Sequence, residues 1–169
     1  MNAKKRVLYS ILILVAVGLD MIVKHLCTVY IKPVGAVTAI PGILDLHYCE
    51  NTGAAFSILS GHTWFFIILT GLLVLLFSLY LYAGRIQNRI ASFSAALIIA
   101  GGLGNLIDRC IYGYVVDMFE FTFVNFAIFN VADIFVTCGT VIFLCCYAFS
   151  KDEVVEWNLF RRKRTPDGE

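Results

Sequence analysis

Four long apolar stretches, separated by shorter polar ones, set the pattern of the chain: Val7 to Leu26, Trp64 to Tyr82, Ile90 to Ile107 and Asn130 to Phe149. Each approaches the ~20 residues that a helix needs to cross a bilayer, so the pattern predicts four transmembrane helices. Between the first two, "ILDLHYCE" (43–50) alternates apolar and polar after a Pro41-Gly42 break, which predicts a strand. "NTG" then turns the chain before "AAFSIL". After the third stretch, Gly113 ends the helical pattern, and the β-branched and aromatic run Tyr114 to Phe121 predicts an extended segment folding back over the bundle. The link from Met118 to Ala132 is too apolar for a free loop. It is expected to lie along the membrane surface and bring its two ends together.

Polar positions inside the apolar stretches are few and one-sided. In the third stretch Ser92, Ala96, Ala100 and Gly104 recur every four residues, a small-residue row that lets another helix approach closely. The next step on that row is Asp108. Asn105 and Arg109 lie on the neighbouring row, above Gly101. In the fourth, Asn130, Asp133, Thr137 and Thr140 form one helical stripe, which in lipid must face the bundle interior. Asp20 and Lys24, four apart on the first helix, are placed to pair. Asp108 beside Arg109 reads as a local ion pair, and Asn51 as a turn residue. The ionisable groups at membrane depth therefore gather near one face. A transport path needs polar groups through the whole depth; a site working at one interface does not.

Charge sets the direction. Ten of the thirteen basic residues, Lys4, Lys5, Arg6, Arg85, Arg89, Lys151, Arg161, Arg162, Lys163 and Arg164, fall on one side of the predicted spans. The positive-inside rule makes that side cytoplasmic. Both termini are then inside, and residues 27–63 and 108–129 face outward. Residues 1–150 read as a single polytopic membrane domain, and 151–169 as a basic cytoplasmic tail held against anionic lipid. Composition agrees: 60% of residues are hydrophobic and 15% charged, with a mean hydropathy of +0.83. A net charge of +1 points to no nucleic-acid partner. The six cysteines, Cys27, Cys49, Cys110, Cys138, Cys145 and Cys146, form no CxxC pair and read as small buried apolar residues. The first stretch continues helically through Ala16-Val17-Gly18 to Lys24, which argues against a cleaved signal peptide.

Asp117, within the returning segment, and Asp133, in the first turn of the fourth helix, are the candidate chemistry. Two carboxyls meeting in a low-dielectric place share one proton. The ionised member takes a proton from water while the protonated one donates to a substrate carbonyl. No metal or side-chain nucleophile is required, and His25, His47 and His62 have no convincing Ser or Cys partner. Taken singly, an Asp in a helix's first turn suits the dipole and an Asp at a loop end is solvated. The functional case rests on convergence at one depth.

At these residues the chain resembles the bacterial lipoprotein signal peptidases, the signal peptidase II family. The resemblance rests on five blocks in order: "DMIVK" (20–24), "NTGAAFSIL" (51–59), "GGLGNLIDR" (101–109), "VVDMFEF" (115–121) and "FNVAD" (129–133). It implies a four-helix membrane bundle, both termini inside, with a small periplasmic β-cradle. It implies that Asp117 and Asp133 are the catalytic dyad and that Asn105, Asp108, Arg109 and Asn130 support it. Asn51 and Arg109 would hold the substrate backbone, and Asp20 and Lys24 would be the polar pair of the first helix. The substrates implied are diacylglyceryl-modified prolipoproteins, cut just before the lipidated cysteine within the bacterial inner membrane. Globomycin-type inhibition is implied, and no cofactor or metal. Met118 departs from the Phe more usual after the dyad Asp.

Three other readings of the same residues make different predictions. An ion-coupled transporter predicts ion flux unaffected by Asp117→Asn. A membrane assembly factor, with its Asp and Asn as interhelical glue, predicts that Asp→Asn swaps are tolerated. A metal site on Asp108, Asp117 and Asp133 predicts loss of activity in chelator.

Overall fold

In the computed structural model, residues 1–53, 58–150 and 154–155 are described. Among them are four helices long and apolar enough to cross a membrane. Helix α1 spans Ala3–Leu26 and continues through a π-helical turn, Cys27–Ile31. Helices α2 (Thr63–Tyr82), α3 (Arg89–Tyr112) and α4 (Val131–Phe149) complete the bundle. Strands β1 (Ala36–Ile40), β2 (Leu44–Asn51) and β3 (Val115–Phe121) make an antiparallel sheet in that order. The 43–50 strand and the returning 114–121 segment are thus found, and they pair with each other. β1 is an addition the alternation pattern did not announce.

The helix ends follow local chemistry. The Asn88 side chain accepts from the Ile90 and Ala91 amides and starts α3. Gly113, at φ +82°, ends it in the left-handed conformation that suits glycine. This stop falls later than Ile107, so Asp108 and Arg109 belong to the last turns of α3. At α4, Asn130 and Asp133 form a reciprocal capping box.

Helix α3 is the centre of the bundle and touches each of the other three, α4 most extensively. Ser92, Ala96 and Ala100 are all buried, as the four-residue row required. The close approach to α4 depends on glycine. A Cβ at Gly101 would collide with the Ala132 carbonyl and Val136, and one at Gly139 would meet the Ser94 carbonyl at 2.8 Å. A Cβ at Gly104 would strike the Asp20 carboxylate. The buried face of α4 is therefore Ala132 and Gly139. Of the polar stripe, Asn130 is buried and Asp133 bonds to Asn105 of α3, whereas Thr137 is exposed. The reason is steric: the closest seam selects the smallest side chains, and the polar residues line its edge.

Two departures concern cysteines and the tail. Cys27 is buried, but Cys110, Cys138 and Cys145 are exposed, so they are not all core residues. Of the 151–169 tail, only Val154 and Val155 lie among the described residues, as does only part of "AAFSIL".

The glycine seam yields a direct expectation. Gly101→Leu should destabilise the protein by about 1–3 kcal/mol through overpacking, seen as a lower Tm in detergent. Gly18→Leu, where nothing lies within 4 Å of the added atom, should not.

Candidate functional site

The site is assembled at one end of the bundle, around a buried ammonium. Lys24 Nζ lies 2.8 Å from Asp20 Oδ2 and 2.9 Å from Asp108 Oδ2, and donates to Asn105 Oδ1 at 3.0 Å. The ammonium is thus ion-paired with two carboxylates and hydrogen-bonded to one amide oxygen. Asp20 and Lys24 do pair, as their spacing predicted. Asp108 does not pair with Arg109: its carboxylate turns to Lys24 and accepts from the Val116 amide at 3.2 Å. The reason is direction, since adjacent residues on a helix point about 100° apart. Among the described residues no carboxylate lies within ion-pair distance of Arg109. Its Nη2 donates to the Gly53 carbonyl at 2.8 Å, and its guanidinium sits 5.2 Å over the Phe66 ring.

From Lys24 the order passes to the two candidate carboxylates through two amides. Asn105 Oδ1 is fixed toward Lys24, which leaves its Nδ2 to donate to Asp133 Oδ1 at 2.7 Å. Asn130 Oδ1 accepts from the Asp133 backbone amide at 2.9 Å. Its Nδ2 donates to Asn105 Oδ1 at 3.1 Å and to Asp117 Oδ1 at 2.6 Å. Asn51 Nδ2 donates to Asp117 Oδ2 at 2.9 Å. Asn51 is therefore more than a turn residue, although its Oδ1 does accept from the Gly53 amide in the manner of a turn. Asp20 Oδ1 reaches the Ala132 amide at 2.8 Å and so helps to cap α4 from another helix.

The backbone explains why Asp117 and Asp133 converge. The Met118 and Phe119 amides donate to the Phe129 carbonyl, and the Phe129 amide donates back to the Phe119 carbonyl. The apolar link thus returns on itself, as its composition suggested. Four of its rings, Phe121, Phe123, Phe126 and Phe129, cluster at centroid distances of 5.2–6.1 Å. Strand alternation turns Val115, Asp117 and Phe121 toward a cavity of about 470 Å³, while Val116 and Met118 pack with Cys27 behind the sheet. That volume suits a small ligand or a short peptide segment. Asn51, Asn105, Arg109, Asp117 and Asp133 are its polar walls; Phe126, Phe129, Ile134 and Val136 are among its apolar ones. Asp20, Lys24, Asp108 and Asn130 are not among its walls and stand behind them. Among the described residues no three His, Cys, Asp or Glu groups form a metal-binding cluster, and Asp108 is directed away from the cavity that Asp117 and Asp133 line.

Asp117 is 2% exposed. Burial, reinforced by the neighbouring Asp133 charge, pushes its carboxyl up to about 7, and the Asn51 and Asn130 amides only partly offset this. A carboxyl so placed holds a proton near neutrality beside a second carboxylate, the condition for acid–base work on one substrate.

A family model described as "Signal peptidase (SPase) II" matches residues 12–149. The chain belongs to the signal peptidase II family. Among curated proteins of the family, the lipoprotein signal peptidase of Streptococcus thermophilus (strain CNRZ 1066) is 43% identical over 140 residues, 83% of this chain and 92% of that one. That of Streptococcus pneumoniae (strain ATCC BAA-255 / R6) is 43% identical over 152 residues, 89% and 97% of the two chains. A bacterial membrane enzyme solved by the in meso method at 2.3 Å resolution superposes with a TM-score of 0.73 at 30% identity, covering 86% of this chain and 92% of its own. This member of the signal peptidase II family is accordingly a multi-pass membrane protein built as four apolar helices and a three-stranded antiparallel sheet.

Some site features had no clear mark in the sequence. Phe66, under the guanidinium, looks like any other apolar residue of α2. Gly53, whose carbonyl receives Arg109, sits in the quoted "NTG" block but was legible only as a turn.

Lys24→Met should remove the ammonium and leave Asp20 and Asp108 buried without a counter-charge. The expected cost is about 3–5 kcal/mol, measured as a fall in Tm. The drop should shrink when Asp108→Asn is added.

Proposed function

We propose that this chain is an aspartyl endopeptidase that removes the signal peptide from diacylglyceryl-modified prolipoproteins, with Asp117 and Asp133 as its catalytic dyad and the cut just before the lipidated cysteine. The observation that carries the reading is the double role of Asn130: one amide hydrogen goes to Asp117 Oδ1 while its oxygen caps the backbone of Asp133. Carboxyls from β3 and α4 thereby stand at the polar end of one cavity. The name of the curated relatives, lipoprotein signal peptidase, supports the substrate class.

In the resting enzyme Asp117 holds the shared proton, consistent with its upward-shifted carboxyl, and Asp133 is ionised. Water seated between them gives a proton to Asp133 as its oxygen attacks the scissile carbonyl carbon. Asp117 donates its proton to the carbonyl oxygen, giving a neutral gem-diol. Collapse returns one hydroxyl proton to Asp117 while Asp133 protonates the leaving nitrogen, and the carboxylic acid and amine products separate. The protonation states at the end are those at the start. Arg109 and Asn51, at the cavity wall, hold the substrate backbone, and the apolar walls hold its hydrophobic flank. A globomycin-type inhibitor would occupy the same cavity.

The enzyme sits in the bacterial inner membrane with both termini inside, residues 1–150 as one polytopic domain and the basic tail in the cytoplasm. Lys4, Lys5 and Arg6 at the start of α1, and Arg85 and Arg89 between α2 and α3, lie at the helix ends away from the dyad, which favours a dyad facing outward. A diacylglyceryl group anchored in the outer leaflet would hold the scissile bond at that depth.

The test is incubation of the reconstituted protein with a diacylglyceryl-modified prolipoprotein, followed by separation of precursor and product. Asp117→Asn and Asp133→Asn should each lower the rate by about 10²–10⁴-fold or more with Tm retained. Substantial cleavage by either folded variant would remove that residue from the dyad. Equal cleavage of an unlipidated precursor would remove the proposed substrate class.

A further inference from the structure

Helix α2 turns most of its surface outward, and its buried residues are Phe66 and Leu81. Leu81 belongs to the main core. Phe66 lies at the other end of the helix, where Thr63 Oγ1 donates to the Gly113 carbonyl at 2.9 Å and ties the start of α2 to the end of α3. Phe66 is three residues into α2 from that tie, and Arg109 is four residues back along α3. Each therefore stands about one helical turn from it, and the two side chains meet. The Arg109 guanidinium carbon is 5.2 Å from the Phe66 ring centroid, within the range of a cation–π contact. Little else holds the guanidinium. Its Nη2 donates to the Gly53 carbonyl at 2.8 Å, and its buried Nε has no hydrogen-bond partner among the described residues.

We propose that Phe66 is a positioning residue for the substrate: its ring face sets the direction in which Arg109 presents its N–H donors to the cavity. The proposal rests on the assignment of Arg109 to the substrate backbone. An aromatic ring attracts a cation through its π face and uses up none of the cation's N–H hydrogens. A carboxylate in the same place would take two of them in a bidentate pair. It would also bring a third acidic group to a cavity that Asp117 and Asp133 already line together with Arg109. Held by a ring and one neutral carbonyl, the guanidinium is fixed in direction and keeps donors for a peptide carbonyl. The burial of Phe66 on an otherwise outward-facing helix follows from the same contact, because the ring covers the side of the cation turned away from the substrate.

The test replaces Phe66 with phenylalanines carrying one, two and three ring fluorines, which drain negative charge from the ring face and barely change its size. Cleavage of the diacylglyceryl-modified precursor is followed over a range of concentrations. KM should climb with each fluorine and reach about 2–30-fold for the series. The contact is made before and during the reaction alike, so kcat should stay within about twofold. Phe66→Leu should raise KM at least as far as the last member of the series. The same fluorinated residues at Phe65, which is 52% exposed, should leave KM unchanged. In an Arg109→Gln background the series at Phe66 should be flat, because the cation is gone. A flat KM series in a parent that cleaves, or a slope that persists in Arg109→Gln, would overturn the role of Phe66 and leave the dyad standing. A parent that does not cleave the precursor would overturn both.

Discussion

The structure turns on one buried cation. Lys24 contributes a single ammonium, ion-paired with Asp20 of its own helix and with Asp108 of α3 and donating to Asn105 of α3. Each of those partners passes the constraint onward: Asp20 to the first turn of α4 through the Ala132 amide, Asp108 to β3 through the Val116 amide, and Asn105 to Asp133. Helices α1, α3 and α4 and the strand carrying Asp117 are thereby held to one point. Buried ion pairs add little net stability compared with apolar packing. What this one contributes is register, because a helix slipped by one residue would leave charges buried without partners.

The same arrangement separates the buried polar residues from those that line the cavity. Asp20, Lys24, Asp108 and Asn130 are buried behind the cavity wall, while Asp117, Asp133, Arg109, Asn105 and Asn51 line it. Two amides carry order across that boundary. Asn105 has its oxygen turned to the cation and its nitrogen to Asp133. Asn130 uses both amide hydrogens, one of them on Asp117. Amide orientation, which is free on a surface, is fixed here by the number of donors and acceptors. Asp117 is the group that pays for this position electrostatically. It is out of water and close to a second carboxylate, and the Asn51 and Asn130 amides and the more distant Lys24 charge offset this only in part, so its proton is held to about 7.

Much of this was legible in the chain, for identifiable reasons. The four spans follow from apolar length, and the crowded face of α3 from the Ser92–Ala96–Ala100–Gly104 row. The return of the 118–132 link follows from an apolar content that a solvated loop would not carry. Asp117, Asp133, Asn105, Asn130 and Lys24 were all flagged. The misreadings share a cause, which is that pairing was judged along the chain. Asp108 and Arg109 are neighbours in sequence and part company in space. The polar stripe of α4 was expected to face the bundle interior; Asn130 and Asp133 do so, but Thr137 is exposed, and the closest seam belongs to Ala132 and Gly139. Strand β1 has no buried residue, so it left little alternation to read. Phe66 and the Gly53 carbonyl take their roles only from where Arg109 reaches.

The central claim is that Asp117 keeps a proton near neutrality beside the carboxyl of Asp133. The most direct measurement is an infrared difference titration of the reconstituted protein, following the protonated-carboxyl band as pH rises. The account predicts a band lost with a midpoint near 7 and missing from Asp117→Asn. A band that disappears in the ordinary carboxylate range near 3.8, or one that survives unchanged in Asp117→Asn, would contradict it.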